Sequence, residues 1–80
     1  MKITVIDYLE KEPVLPAMFK SISGNIWLIT HIEKIDNTAK GVMLCQNDGS
    51  TVSVGKYQDE LDLDRLTLLP KGTIVKFEQL

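Results

Sequence analysis

The chain contains one cysteine and one histidine, Cys45 and His31, and these are the two residues whose chemistry could support a nucleophilic enzyme. A histidine beside a cysteine can accept the thiol proton and leave a reactive thiolate. The sequence offers no third residue that would orient the histidine and no loop that would stabilise an oxyanion. A thiol enzyme using Cys45 and His31 is therefore the weakest of three functional hypotheses, and no catalytic residue is assigned.

The same two residues argue against a metal centre. A single cysteine excludes an internal disulfide and a cysteine-rich zinc site. A cysteine and a histidine together also fall short of the four ligands of a structural zinc site. The sequence therefore predicts no metal and no cofactor. In the alternative interpretation both side chains simply fill a sheet face, the cysteine as a small apolar residue.

Acidic side chains cluster in the segment "DELDLD". Four of the eleven acidic residues lie here, namely Asp59, Glu60, Asp62 and Asp64. Hard cations bind clustered carboxylates, but the spacing and the glycine of an EF-hand loop are absent. The segment is better explained as a solvated acidic loop, or as a contact surface for a basic region of a partner.

Length and composition predict one folded domain spanning residues 1–80, with 44% hydrophobic and 25% charged residues. The formal net charge is −2, and Arg65 is the only arginine among nine dispersed basic residues. Duplex binding favours clustered basic residues and base recognition favours arginine, so the sequence disfavours nucleic acid as a partner. No apolar run approaches the roughly 18 residues of a membrane span. We therefore expect a cytoplasmic protein without a membrane partner.

Short β-branched and apolar runs separated by turn residues predict an all-β fold. We expect a small single-domain meander or barrel, SH3-like or OB-like, with six to seven short strands. The predicted strands are 2–9, 17–22, 26–35, 42–46, 51–55, 65–69 and 73–79. The connection over 56–64 is ambiguous, and we expect an irregular crossover with one helical turn near 57–63.

Pairing the predicted strands assigns the faces of the sheet. In a 42–55 hairpin with Gly49 at the left-handed position of the turn, Leu44 lies opposite Val52. In a 65–79 hairpin, Leu68 lies opposite Val75. Both hairpins then have one apolar row, which we expect to face inward. A loop centred near Thr38 would extend this register to the longest strand and place His31 opposite Cys45.

The stretch "IWLITHIE" then carries a second apolar row, on the outward face. This row contains Trp27, Ile29 and Met43, with His31 beside them. It is covered either by the chain's own N-terminal region or by another polypeptide, because contiguous exposed apolar patches mark interaction sites.

The leading functional hypothesis follows from this outward row. It is a non-catalytic protein-binding module, such as a small adaptor or inhibitor of a larger protein, for which a phage or mobile-element origin is conceivable. Its partner would be another protein or a second copy of the chain. The alternative is an OB-like or SH3-like nucleic-acid-binding protein that gathers its lysines on one surface.

Overall fold

The computed structural model describes residues 13–77, and in this part of the chain five strands form a single antiparallel sheet. The predicted strand at 2–9 lies outside the described residues. The strands are β1 (Ala17–Ser21), β2 (Ile26–Glu33), β3 (Thr38–Cys45), β4 (Tyr57–Asp62) and β5 (Leu66–Leu68), and one 3₁₀ turn spans Leu63–Arg65. Their spatial order is β4-β3-β2-β1-β5. The first four strands thus form a meander, and β5 returns beside β1.

The prediction of a small all-β meander is confirmed, and the alternative of a closed SH3-like or OB-like barrel is wrong. The sheet is open, with β4 at one edge and β5 at the other. The described residues form five strands rather than six or seven. The helical turn lies at Leu63–Arg65, whereas most of the region predicted to hold it, near 57–63, is strand β4.

Two predicted hairpins are absent because their first strands have other partners. Segment 51–55 forms turns, and β3 continues instead to β4, with the Gly55 N–H donating to the Met43 carbonyl at 2.8 Å. In β5, Leu68 pairs with Phe19 of β1, and residues 73–77 form no strand. The predicted pairs of Leu44 with Val52 and Leu68 with Val75 are therefore wrong.

The β2–β3 hairpin has a tighter turn than predicted. Residues 34–37 form this turn, and Asn37 adopts a positive φ of 56°. Asparagine tolerates this left-handed conformation better than most residues. The segment 38–41, predicted as part of a loop, therefore belongs to β3.

A small core lies on one face of the sheet, here called the core face. Its five buried residues are Phe19, Trp27, Ile29, Ala39 and Met43. Trp27 pairs directly with both Phe19 and Met43, so one row of large side chains crosses three strands. The partly buried hydrophobic residues that pack against them are Leu15, Ala17, Ile32, Leu61, Leu63 and Leu66.

A β-bulge at Thr30 changes the alternation along β2. Ile29 pairs with Gly41 and His31 pairs with Lys40, so Thr30 is the inserted residue. The Thr30 hydroxyl donates to the Lys40 carbonyl at 3.3 Å. Beyond the bulge Ile32 pairs with buried Ala39, which brings it to the core face. A bulge of this kind changes which side chains face the core without breaking the strand.

Candidate functional site

The predicted outward row is the core of the protein. Trp27 and Met43 are each 5% exposed, and Ile29 is fully buried. The grouping of these three residues on one face is correct, but their placement on the outside is wrong. Side chains buried to this degree offer very little surface to a partner. Of the four residues assigned to partner binding, only His31 is exposed.

His31 and Cys45 are not opposite each other, so the predicted pair is wrong. His31 pairs with Lys40, and its Nδ1 lies 2.9 Å from the Thr30 hydroxyl. Cys45 pairs with Ile26, five residues from His31 along β2. At 3.3 Å per residue this separates the two backbones by roughly 16 Å. The exposed Cys45 thiol instead lies 3.7 Å from the Gln46 carbonyl oxygen. His31 is therefore not positioned to accept the Cys45 proton.

The opposite side of the sheet, here called the second face, carries an apolar row of its own. Met18, Leu28, Val42 and Tyr57 are successive cross-strand partners from β1 to β4. Three of them are half-buried, and Tyr57 is exposed. Leu28 and Val42, which the predicted register placed in the inward row, are therefore more exposed than Trp27 and Met43.

An apolar groove lies where the β1–β5 edge meets the second face. It has a volume of about 520 Å³, and among residues 13–77 Lys71 is the only charged residue that lines it. Met18 and Leu28 form one part of its lining, and Val14 at its border is 90% exposed. The remaining lining residues are Pro13, Pro16, Ala17, Leu68, Leu69, Pro70, Gly72 and Thr73.

Sequence reasoning missed this groove. Its walls come largely from two proline-containing segments, "PVLP" and "LLPKG". A hydrogen bond from the Leu69 N–H to the Met18 carbonyl, 3.0 Å long, holds the second segment against β1. The only sequence feature that could have indicated the groove was the apolar character of both segments. Nothing in the sequence indicates that the two segments are in contact.

The predicted acidic surface belongs mainly to edge strand β4 rather than to a loop. Asp59, Glu60 and Asp62 are exposed on β4, and Asp64 lies in the 3₁₀ turn. Asp62 caps this turn, since one of its carboxylate oxygens accepts a hydrogen bond from the Asp64 N–H at 3.0 Å. Asp59 and Glu60 line a shallow depression together with Glu33, Asp36, Thr38 and Lys40. No group of three or more His, Cys, Asp or Glu side chains among residues 13–77 could hold a metal ion.

No protein-family model, curated protein or solved structure matches this chain. Within the described residues, no helix is long and apolar enough to cross a membrane.

Proposed function

We propose that this chain is a non-catalytic protein-binding module, of the kind that serves as a small adaptor or inhibitor, and that it binds its partner in the groove at the β1–β5 edge. One observation carries the proposal. Within residues 13–77 the groove offers a concave and mostly apolar surface, whereas the depression beside β4 is lined mainly by acidic residues. Concave apolar surfaces that remain open to solvent are typical binding sites.

The lining of the groove indicates the chemistry of its partner. The residues within 13–77 that line the groove include no carboxylate and no aromatic ring, and Lys71 provides their single charge. Three of the lining residues are prolines. We therefore expect a segment of another protein that inserts aliphatic side chains and places an acidic residue near Lys71.

Nucleic-acid binding is the alternative function, and the distribution of charge does not favour it. On the second face, Lys40 lies beside Glu33, Asp36, Asp59 and Glu60 in the same depression. Phosphate binding requires cationic side chains that are not already surrounded by carboxylates. A labelled single-stranded oligonucleotide provides the direct test, because phosphate contacts make affinity fall steeply between about 50 and 200 mM salt.

The protein-binding proposal is tested by selecting peptides from a random library displayed on phage and measuring their affinity by fluorescence anisotropy. Val14 lies in the groove and is 90% exposed, whereas Ile35 lies on the β2–β3 turn and is 93% exposed. Val14→Glu and Ile35→Glu thus introduce the same charge in place of equally exposed β-branched residues. We expect Val14→Glu to weaken the selected peptides about tenfold or more, and Ile35→Glu to leave them unchanged.

The selected sequences give a second result. Peptides that combine aliphatic and acidic residues support the proposal. Selection of no peptide with a Kd below about 1 mM, or equal binding to both variants, would overturn it. Salt-sensitive binding of the oligonucleotide without peptide binding would establish the alternative.

A further inference from the structure

Among residues 13–77, strand β4 forms one edge of the sheet, and β3 is its only strand partner. In this part of the chain, the backbone hydrogen bonds of turns and loops do not involve residues 57–62. Five of its six residues are exposed, the exception being Leu61. The opposite edge, β5, has only three residues. A strand of six residues presents roughly 20 Å of backbone, long enough to pair with an extended peptide.

The acidic side chains of β4 indicate which kind of peptide strand could pair with this edge. Ala39 pairs with Leu61 and Gly41 with Gln58, so Asp59 and Glu60 together lie opposite Lys40 across a β-bulge. Both line the depression on the second face that also contains Glu33 and Asp36. A strand added to this edge would place alternate side chains over the same face. Lysine or arginine at those positions would meet carboxylates.

A second copy of the chain does not suit this edge. Pairing β4 with itself would bring Asp59 and Glu60 close to the same residues of the other copy, and like charges on facing strands are destabilising. Carboxylates and a bulge also protect an edge strand against indiscriminate pairing. The edge therefore excludes acidic and uncharged strands more strongly than basic ones.

We infer that β4 is a second docking site, at which an extended basic peptide segment of another protein adds as a strand. The backbone groups of β4 provide the affinity, and the carboxylates of Asp59 and Glu60 select the basic side chains. This site is separate from the groove, because β4 and β5 are opposite edges of the sheet. Its test is therefore independent of the proposed function.

The probe is a fluorescein-labelled octapeptide of alternating lysine and valine, compared with the same peptide in which glutamate replaces lysine. A third peptide has the basic sequence with methyl groups on alternate backbone nitrogens, which removes the donors along one edge but keeps every charge. We expect measurable binding of the first peptide only. Amide hydrogen exchange should slow within residues 57–62 when it binds. Light scattering in the absence of peptide should show a monomer.

Two matched double variants distinguish the effect of the β4 carboxylates on peptide binding from the effect of the protein's net charge. Asp59→Asn/Glu60→Gln removes two negative charges at β4, while Thr51→Lys/Val52→Lys adds two positive charges in the exposed 46–55 loop. We expect the first double variant to weaken the basic peptide at least about tenfold and the second to have a smaller effect. Equal binding of the methylated peptide, equal effects of the two variants, no binding of the basic peptide, or a dimer formed through β4 would each overturn the inference.

Discussion

Trp27 and Met43 are cross-strand partners, and each is 5% exposed. Their pairing joins the central strand β2 to its neighbour β3 within the core, with Phe19 of β1 on the other side of Trp27. In the sequence the same two residues are candidates for an exposed interface. Because both side chains are buried, a mutation at either position should lower the stability of the fold rather than weaken binding to a partner.

Trp27→Ala should destabilise the folded chain by about 3–5 kcal/mol, because it removes the largest side chain of a small core and leaves a cavity. Chemical denaturation followed by circular dichroism measures the loss. Ile35→Ala, at a residue that is 93% exposed, is the control and should change the free energy of unfolding by less than about 0.5 kcal/mol. If the Trp27 variant were as stable as the control, the core assignment would be wrong.

The neighbouring residues Met43 and Leu44 test which row faces the core. Met43 is buried and Leu44 is half-buried, so Met43→Ala should cost about 2–5 kcal/mol and Leu44→Ala distinctly less. The predicted hairpin register gives the opposite order. Urea midpoints of the two variants, measured under the same conditions, decide between the two registers.

Gly41 should not tolerate alanine, because its position opposite Ile29 leaves no room for a side chain. A Cβ atom at Gly41 would collide with the Leu28 carbonyl oxygen and lie 3.0 Å from the Ile29 Cα atom. Both obstacles are backbone, so relief requires the strands to separate. We expect a loss of about 1–3 kcal/mol in a thermal or urea melt. A Gly41→Ala variant with unchanged stability would show that the β2–β3 spacing adjusts freely.

Substitutions at Gly49 should be limited by the backbone conformation of this residue rather than by a lack of space for a side chain. Its φ is +78°, as predicted for the left-handed position of the turn, and an added Cβ would meet nothing within 4 Å. Gly49→Val should therefore cost more than about 1 kcal/mol, since a β-branched residue strains this conformation. Gly49→Asn is the control, because asparagine tolerates positive φ. Equal losses for the two variants would point to a cause other than φ.

Cys45 should react with a thiol reagent such as dithiobisnitrobenzoate in the folded protein, because its side chain is exposed. Histidine activation predicts that His31→Ala slows this reaction. The structure predicts no change, since Lys40 rather than Cys45 pairs with His31. A marked decrease in the labelling rate at neutral pH would restore the thiol-enzyme hypothesis.

The local sequence pattern was sufficient to predict the positions of strands β1 and β2. The long apolar run that begins with "IWLITHIE" predicted a strand at 26–35, and the structure has β2 at Ile26–Glu33. Strand β1, predicted at 17–22, is Ala17–Ser21. The positive φ of Gly49 also followed from the sequence, because the residues of a tight turn determine its backbone conformation.

Tertiary structure decided the partners of the strands and the side of the sheet that is buried. Segment "TAKG" has weak β-propensity, yet Gly41 lies within β3 because only a residue without a side chain allows Ile29 to approach. Val42 and Met43 form apolar rows on opposite faces, so alternation alone could not show which row is buried. The sequence by itself determined an all-β chain with Trp27, Ile29 and Met43 on one face. The sequence did not determine the strand partners or the buried face, because both depend on contacts between distant segments. The period-2 pattern of a strand contains no information about those contacts.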